Sequence, residues 1–449
     1  MSALTQFAEH QHPRRASLVE ELHARPFQPM AAPGRVLRLA FKEPTGAAER
    51  DLGKDHDHLT ALLDHHGAPP PPPGARQHSA TLGSLRLKWE CHTEFVSYLF
   101  TADGPGSALF DGSIAAQLDP DWIASAPGKI VSASEVELIF QPTHDPAAAL
   151  GADLIDHFNP ESMAASSILD ASAIAVGDFR IDPRGVTRFA VIVTGETGPR
   201  RLGRAVQRIL ELEVYATMAL LALPIARETA GRLNQVEREL TELIHRATQG
   251  DNRPADEDLL EDLSSLAAEI EAMSAAAAFR LDAADAYTSI VRDRIQLLRE
   301  RPVRGRQRFD EFFNRRFDPA IRTVQAARGR LEALSTRTAR IAELLRTRVS
   351  VTLEAQNQQL LDQMNDRAAQ QLRLQQTVEG LSVVAISYYA VSLAAYLLAP
   401  AEKALGIDKT SLMALVTIPT ILAVWFSVHR LRGHLQNRNR KTDRQKPKK

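Results

Sequence analysis

The sequence predicts an α+β cytoplasmic domain followed by long α-helices and a C-terminal two-helix transmembrane hairpin. Three observations lead there. Short alternating apolar runs separated by turn residues fill the chain up to residue 197. After Gly198 helical periodicity takes over. Near the C-terminus two uncharged runs, Leu381 to Ala399 (LSVVAISYYAVSLAAYLLA) and Leu412 to Val428 (LMALVTIPTILAVWFSV), approach the ~20 residues that cross a bilayer core. The expected divisions are 1–197 (cytoplasmic α/β domain), 198–318 (helical hairpin region), 319–379 (stalk helix), 380–428 (membrane hairpin, spans 381–399 and 411–428) and 429–449 (basic cytoplasmic tail).

In chain order, Ser17 with Glu20 three residues on forms a capping box for a short helix that Pro26 ends. Arg35 to Lys42 alternates as a strand, and 49–66 has a helical pattern before the polyproline run Pro69 to Pro73. Leu85 to Cys91 sets Leu85, Leu87, Trp89 and Cys91 against Arg86, Lys88 and Glu90, a half-buried strand with Glu94 to Phe100 as partner. Short helices are expected at 108–124 and 146–157, and a β-rich run at Ile130 to Phe140. Ala173 to Ile181 and Val186 to Thr194 flank the turn Asp182-Pro183-Arg184-Gly185, a hairpin signal. Arg200 to Arg227 reads as one largely buried helix continuing to about Thr248; GDNRP at 250–254 is a turn, and Asp256 caps a second long helix to about Arg301. Pro302 breaks that helix, a short helix follows, and Asp318-Pro319 opens the last one. From Pro319 to Gly380 apolar residues recur at threes, fours and sevens, as in a packed or coiled-coil helix that can continue into the first apolar run.

A formal net charge of -1 argues against a nucleic-acid partner. From His429 onward, however, nine Arg or Lys face the single acid Asp443, which by the positive-inside rule keeps the tail cytoplasmic. The start of the chain has no signal-peptide pattern, so both termini are expected on the cytoplasmic side of a bacterial inner membrane. The single cysteine, Cys91, excludes an intramolecular disulfide and a CxxC site.

Four groups of residues are candidates for function. His56, His58, His65 and His66, with Asp57 and Asp64, are metal-ligand types, although their spacing matches no closed site. Arg200, Arg201, Arg204 and Arg208 follow Gly195 and Gly198 at a helix start, where an anion could bind; the plainer expectation pairs them with Glu211, Glu213 or a neighbouring domain. Ser382, Tyr389, Ser392 and Tyr396 share one face of the first apolar run and would face a helix bundle or a pore. Thr417 and Thr420 flank Pro419 in the second run. No nucleophile–base pair, carboxylate dyad or cofactor motif is present, so neither enzymatic activity nor a cofactor is expected.

The segments HPRRASLVEELHARPF (His12 to Phe27), FRIDPRGVTRFAV (Phe179 to Val191), GRAVQRILELEVYATMALLALPIAR (Gly203 to Arg227) and EGLSVVAISYYAVSLAAYLL (Glu379 to Leu398) resemble a bacterial family of uncharacterised membrane-anchored proteins. The order of parts is also similar to that of CorA-type metal-ion channels. The Gly-Met-Asn signature of that superfamily is absent, and Leu397-Leu398-Ala399-Pro400 stands in its place. That second resemblance implies a homo-oligomer in the lipid bilayer that moves divalent cations, with the hydroxyl face lining the pore. The alternative expectation is a membrane-tethered cytoplasmic scaffold or sensor whose apolar runs only anchor it.

Overall fold

The computed structural model describes residues 10–16, 18–19, 27–44, 50–143, 145, 147–248, 256–405 and 409–443. The expected capping box of Ser17 and Glu20, and the turn at 250–254, lie outside them.

The framework is one mixed nine-stranded sheet in the order β2-β3-β4-β1-β5-β8-β7-β6-β9. Its strands are β1 (Gly34–Lys42), β2 (Gln77–Leu82), β3 (Leu85–Cys91), β4 (Phe95–Asp103), β5 (Lys129–Phe140), β6 (Ala164–Ile168), β7 (Ala173–Ile181), β8 (Thr187–Val193) and β9 (Arg301–Pro302). Each half starts at the centre and returns to it: β1 and β5 are adjacent, β4 lies outside β1, and β8 lies outside β5. The β5–β8 pair is parallel and the others are antiparallel.

Period-two alternation gives the sheet two apolar faces. On β1, Leu37, Leu39 and Phe41 join the core made with α1 (Leu52–His65) and α2 (Pro120–Ala124), where Trp89, Tyr98 and Trp122 are buried. A third short helix, α3 (Ala152–Ile155), covers the same side of the second half. Val36 and Ala40, with Phe189, Val191 and Val193 of β8, face the opposite core. That core is completed by α4 (Pro199–Leu220), α6 (Asp256–Leu298) and the start of α7 (Phe309–Leu405). Between them lies α5 (Ala222–Thr248), which packs on α6 and α7 through Ala222, Ala226, Ala277, Leu281, Ala284 and Val324. Glu94 of the β3–β4 turn is buried against α6, where it accepts from Arg280 Nη2 at 3.1 Å and from the Tyr287 hydroxyl at 2.9 Å.

The predicted fold class is corrected at the C-terminal end. The long helices do not make a separate two-helix hairpin. The first apolar run is the distal part of the 97-residue α7, which continues past Pro400 to Leu405, and the second lies inside the 35-residue α8 (Lys409–Asp443). The physical reason is local propensity: Ala401 to Leu405 and Leu431 to Asp443 contain no glycine or proline except Gly433, so helix extends beyond the apolar residues. The segment expected as a loop, Pro400 to Thr410, is helical on both sides of residues 406–408, which lie outside the described residues. Further differences are local, and of the helices expected at 108–124 and 146–157 only Pro120–Ala124 and Ala152–Ile155 are α-helical. Arg200 to Thr248 is divided at Leu221. The last helix starts at Phe309 rather than at Pro319, because Phe309, Phe312, Phe313 and Phe317 bury its first turns and offset the hydrogen bond that Pro319 cannot donate. By compactness the chain divides into residues 1–343 and 344–449.

Candidate functional site

The sheet face under α4 holds a cavity of about 330 Å³. Its floor is β5 (Ile130 to Ala133), one wall is α4 (Glu213, Ala216, Thr217, Leu220), and the other is the start of α7 (Phe312, Phe313, Arg316, Phe317). Three local features build it. On α4 the buried stripe Leu202, Val206, Ile209 continues by helical steps to Glu213, which places a carboxylate where the pattern calls for an apolar residue. On β7 the register slips between Gly177 and Ile181, and Phe179 takes a φ of 53°. That bulge aims the Phe179 ring at α7, where it stacks on Phe312 at 4.8 Å and meets Phe313 edge-on at 5.1 Å. Gly177 makes room for the arrangement, since a Cβ there would lie 2.4 Å from the Phe189 ring.

Glu213 is the chemical centre. Ser132 Oγ donates to its Oε2, and its backbone carbonyl accepts from Thr217 Oγ1 at 3.0 Å. Burial pushes the carboxyl up to about 7, against the Ser132 hydrogen bond and the Arg38 charge, which favour the ionised form. Near neutral pH the carboxyl is therefore divided between its protonated and ionised forms. It can donate to a ligand oxygen or, once ionised, hold a cation. At the mouth, the Arg316 guanidinium lies 5.1 Å from the Phe312 ring and donates to the Glu161 carbonyl at 3.0 Å. An apolar, aromatic-walled space with a single convergent acid is the form of a small-molecule binding site.

The residues singled out from sequence are placed elsewhere. His58 is a core side chain, stacked on Trp122 at 4.5 Å, with Nδ1 2.7 Å from the Tyr98 hydroxyl and Nε2 2.9 Å from the Trp122 carbonyl. His56 contacts the Ala75 carbonyl at 2.7 Å, and His65 and His66 touch only edge to face. Among the described residues no group of three or more His, Cys, Asp or Glu could hold a metal ion. Arg204 lies near Arg208, whose pKa is lowered first by burial and then by the charges of Arg204, Arg294 and Arg299. Arg201 pairs with Asp170 at 2.7 Å, and Arg208 donates to the Leu297 carbonyl at 2.9 Å. Their expected partners are engaged by others: Glu211 pairs with Arg294, and Glu213 faces the cavity. Ser382 and Ser392 donate within their own helix, to the carbonyls of Val378 (2.8 Å) and Tyr388 (2.9 Å). Thr417 and Thr420 bond back in the same way, to Met413 and Val416. Tyr389 and Tyr396 are exposed.

A family model described as "Protein of unknown function (DUF3422)" matches residues 10–435. The chain belongs to this family. No curated protein and no solved structure gives a match. The DUF3422 match spans the sheet, the cavity and both apolar runs, so the Glu213 cavity is built entirely from residues within the family's extent. Two signals for it were present in the DUF3422 sequence: an acid on the buried stripe of α4, and four phenylalanines within Phe309 to Phe317.

Proposed function

We propose that the chain is a membrane-attached sensor. A small ligand with an apolar body and a hydrogen-bonding head enters the Glu213 cavity and alters the packing of the long helix that carries the apolar run. One observation carries this reading: the cavity wall is the first turns of α7, the same helix that includes Leu381 to Leu397. Membrane attachment is supported by a contrast between two helical stretches that are both apolar and long enough to span. In Pro199–Ala247, 67% of the apolar window is buried in the core, whereas in Phe309–Leu397 only 6% is. The basic residues Arg430, Arg432, Arg438, Arg440 and Lys441 after the second run suit anionic headgroups. Nothing in the geometry favours the conducting alternative, since Ser382 and Ser392 bond back to carbonyls of their own helix, which a serine does whether or not it faces a pore.

The test uses the full chain in nanodiscs with 2-phenylethylamine, 2-phenylethanol and phenylacetate, which share one body and differ in the head. We expect at least one to protect residues 309–317 from hydrogen exchange, and Ala216→Trp, which fills the cavity, to abolish that protection. Protection by none, or protection that survives Ala216→Trp, would overturn the proposal.

A further inference from the structure

Residues 350–378 of α7 are exposed around the whole circumference of the helix. Six apolar side chains of this stretch and its continuation to Leu381 nevertheless fall on two rows, while Val351, Leu361 and Leu372 lie off them. Leu353, Leu360, Leu374 and Leu381 fall on one row of sevens, with Arg367 in the middle position. Asn357, Met364, Gln371 and Val378 form a second row four residues on. A straight helix drifts away from a seven-residue repeat, so a repeat held this long is the seam of a left-handed coiled coil. The six apolar members of the two rows are between 48% and 68% exposed. An isolated helix in water is marginal without a partner on such a seam.

We infer that this stretch pairs, parallel and in register, with the same stretch of a second copy of the chain. Three features select that occupant. Gln356, Gln363 and Gln370 flank the seam, again seven apart, so identical copies meet along a neutral border with no like-charge cost there. The amides of Asn357 and Gln371 meet their own counterparts only when two copies are aligned in register, which is how a polar seam residue fixes alignment. Copies that enter one bilayer from the same side run parallel; this point alone rests on the membrane reading above. Arg367 is the exception in the leucine row. Its stem can carry the guanidinium to the rim, but two copies bring two cations together and the pairing is weakened there.

Cysteine cross-linking of the full chain, in membranes and after purification, tests this. The native Cys91 is buried, and the unsubstituted chain is the control. Leu360→Cys and Val378→Cys are expected to give covalent dimers of the chain on mild oxidation, and Ala369→Cys, on the opposite side of the helix, is not. Arg367→Leu is expected to lower the dissociation concentration measured by light scattering by roughly tenfold or more, and Leu360→Lys to raise it by a similar factor. Absence of seam cross-links, or equal cross-linking at Ala369→Cys, would overturn the inference. So would cross-links only to a different protein, or only between Leu360→Cys and a distant seam position, as an antiparallel pair would give. Because these readouts do not involve the cavity, failure here leaves the ligand proposal standing, and the reverse also holds.

Discussion

At Glu213 a single side chain sets both a chemical property and a stability cost. Its carboxyl is raised to about 7 by burial, whereas in the unfolded chain it titrates near the ordinary glutamate value of 4.5. The folded state therefore binds the proton more tightly, and the associated stability is fully present below pH 4.5 and lost as pH rises through 7. Glu213→Gln should be more stable than the parent at pH 8, by up to roughly 3 kcal/mol, and the gap should close at pH 4. Denaturant unfolding at the two pH values checks this, and a gap independent of pH would refute it. Glu137, also raised to about 7 chiefly by burial, contributes to the parent's slope but cancels in the comparison. The ion pair of Glu94 and Arg280 is a different case, because both partners are buried and charged. Arg280→Met leaves the buried Glu94 carboxylate with only the Tyr287 hydroxyl and the Lys42 charge to compensate it and should cost up to about 3–5 kcal/mol, and adding Glu94→Gln should restore most of that loss in a double-mutant cycle.

Among the elements, the junction of β7 with α7 is an aromatic one, with Phe179 set against Phe309, Phe312 and Phe313. Phe309 is fully buried there and is 5.6 Å from Phe179. Phe309→Ala should cost about 3–5 kcal/mol, whereas Ile181→Ala, at a side chain 74% exposed, should stay within ~0.5 kcal/mol. Equal effects in equilibrium unfolding would show that the junction is not what holds α7. The elements legible in the sequence were those whose own residues carry the pattern. Leu85 to Cys91 alternates cleanly because one face joins the core with Trp122, but the other face, where Lys88 pairs with Glu90, is buried as well and not open to solvent as a half-buried strand's would be. Gln77–Leu82 (QHSATL) has a single large apolar residue and becomes a strand by pairing with β3. Ala164–Ile168 (AASSI) is small and polar, and its place in the sheet is fixed by β7 on one side and by β9 on the other. The bulge at Phe179 is likewise set by the helix it meets, so the cavity could not be read from the FRIDPRG hairpin alone.

For the whole molecule, the sequence led correctly to an uncharacterised family but not to the architecture, in which the long helices complete the core of one nine-stranded sheet and make no separate two-helix hairpin. It did not place the helix ends, because α7 and α8 continue through residues that hydropathy treats as loop and tail. Only assembly shows that Pro199–Ala247 is core while Leu381 to Leu397 is exposed, since the two are similar in apolar content. If the exposed run meets lipid, the full chain should stay in the pellet after alkaline carbonate extraction and a chain ending at Glu343 should be released. Retention of the shortened chain in the pellet would place attachment in the first unit instead.

The late closure of the sheet also bears on synthesis. Its edge strand β9 and the phenylalanines that seal the cavity are made by residue 317, and the exposed apolar run begins roughly 60 residues later, an interval of about 3–13 s at ordinary elongation rates. Sheets with many distant pairings fold in milliseconds to seconds. The nascent sheet can therefore be complete before the segment that would recruit the insertion machinery leaves the ribosome, so targeting would act on an already folded domain.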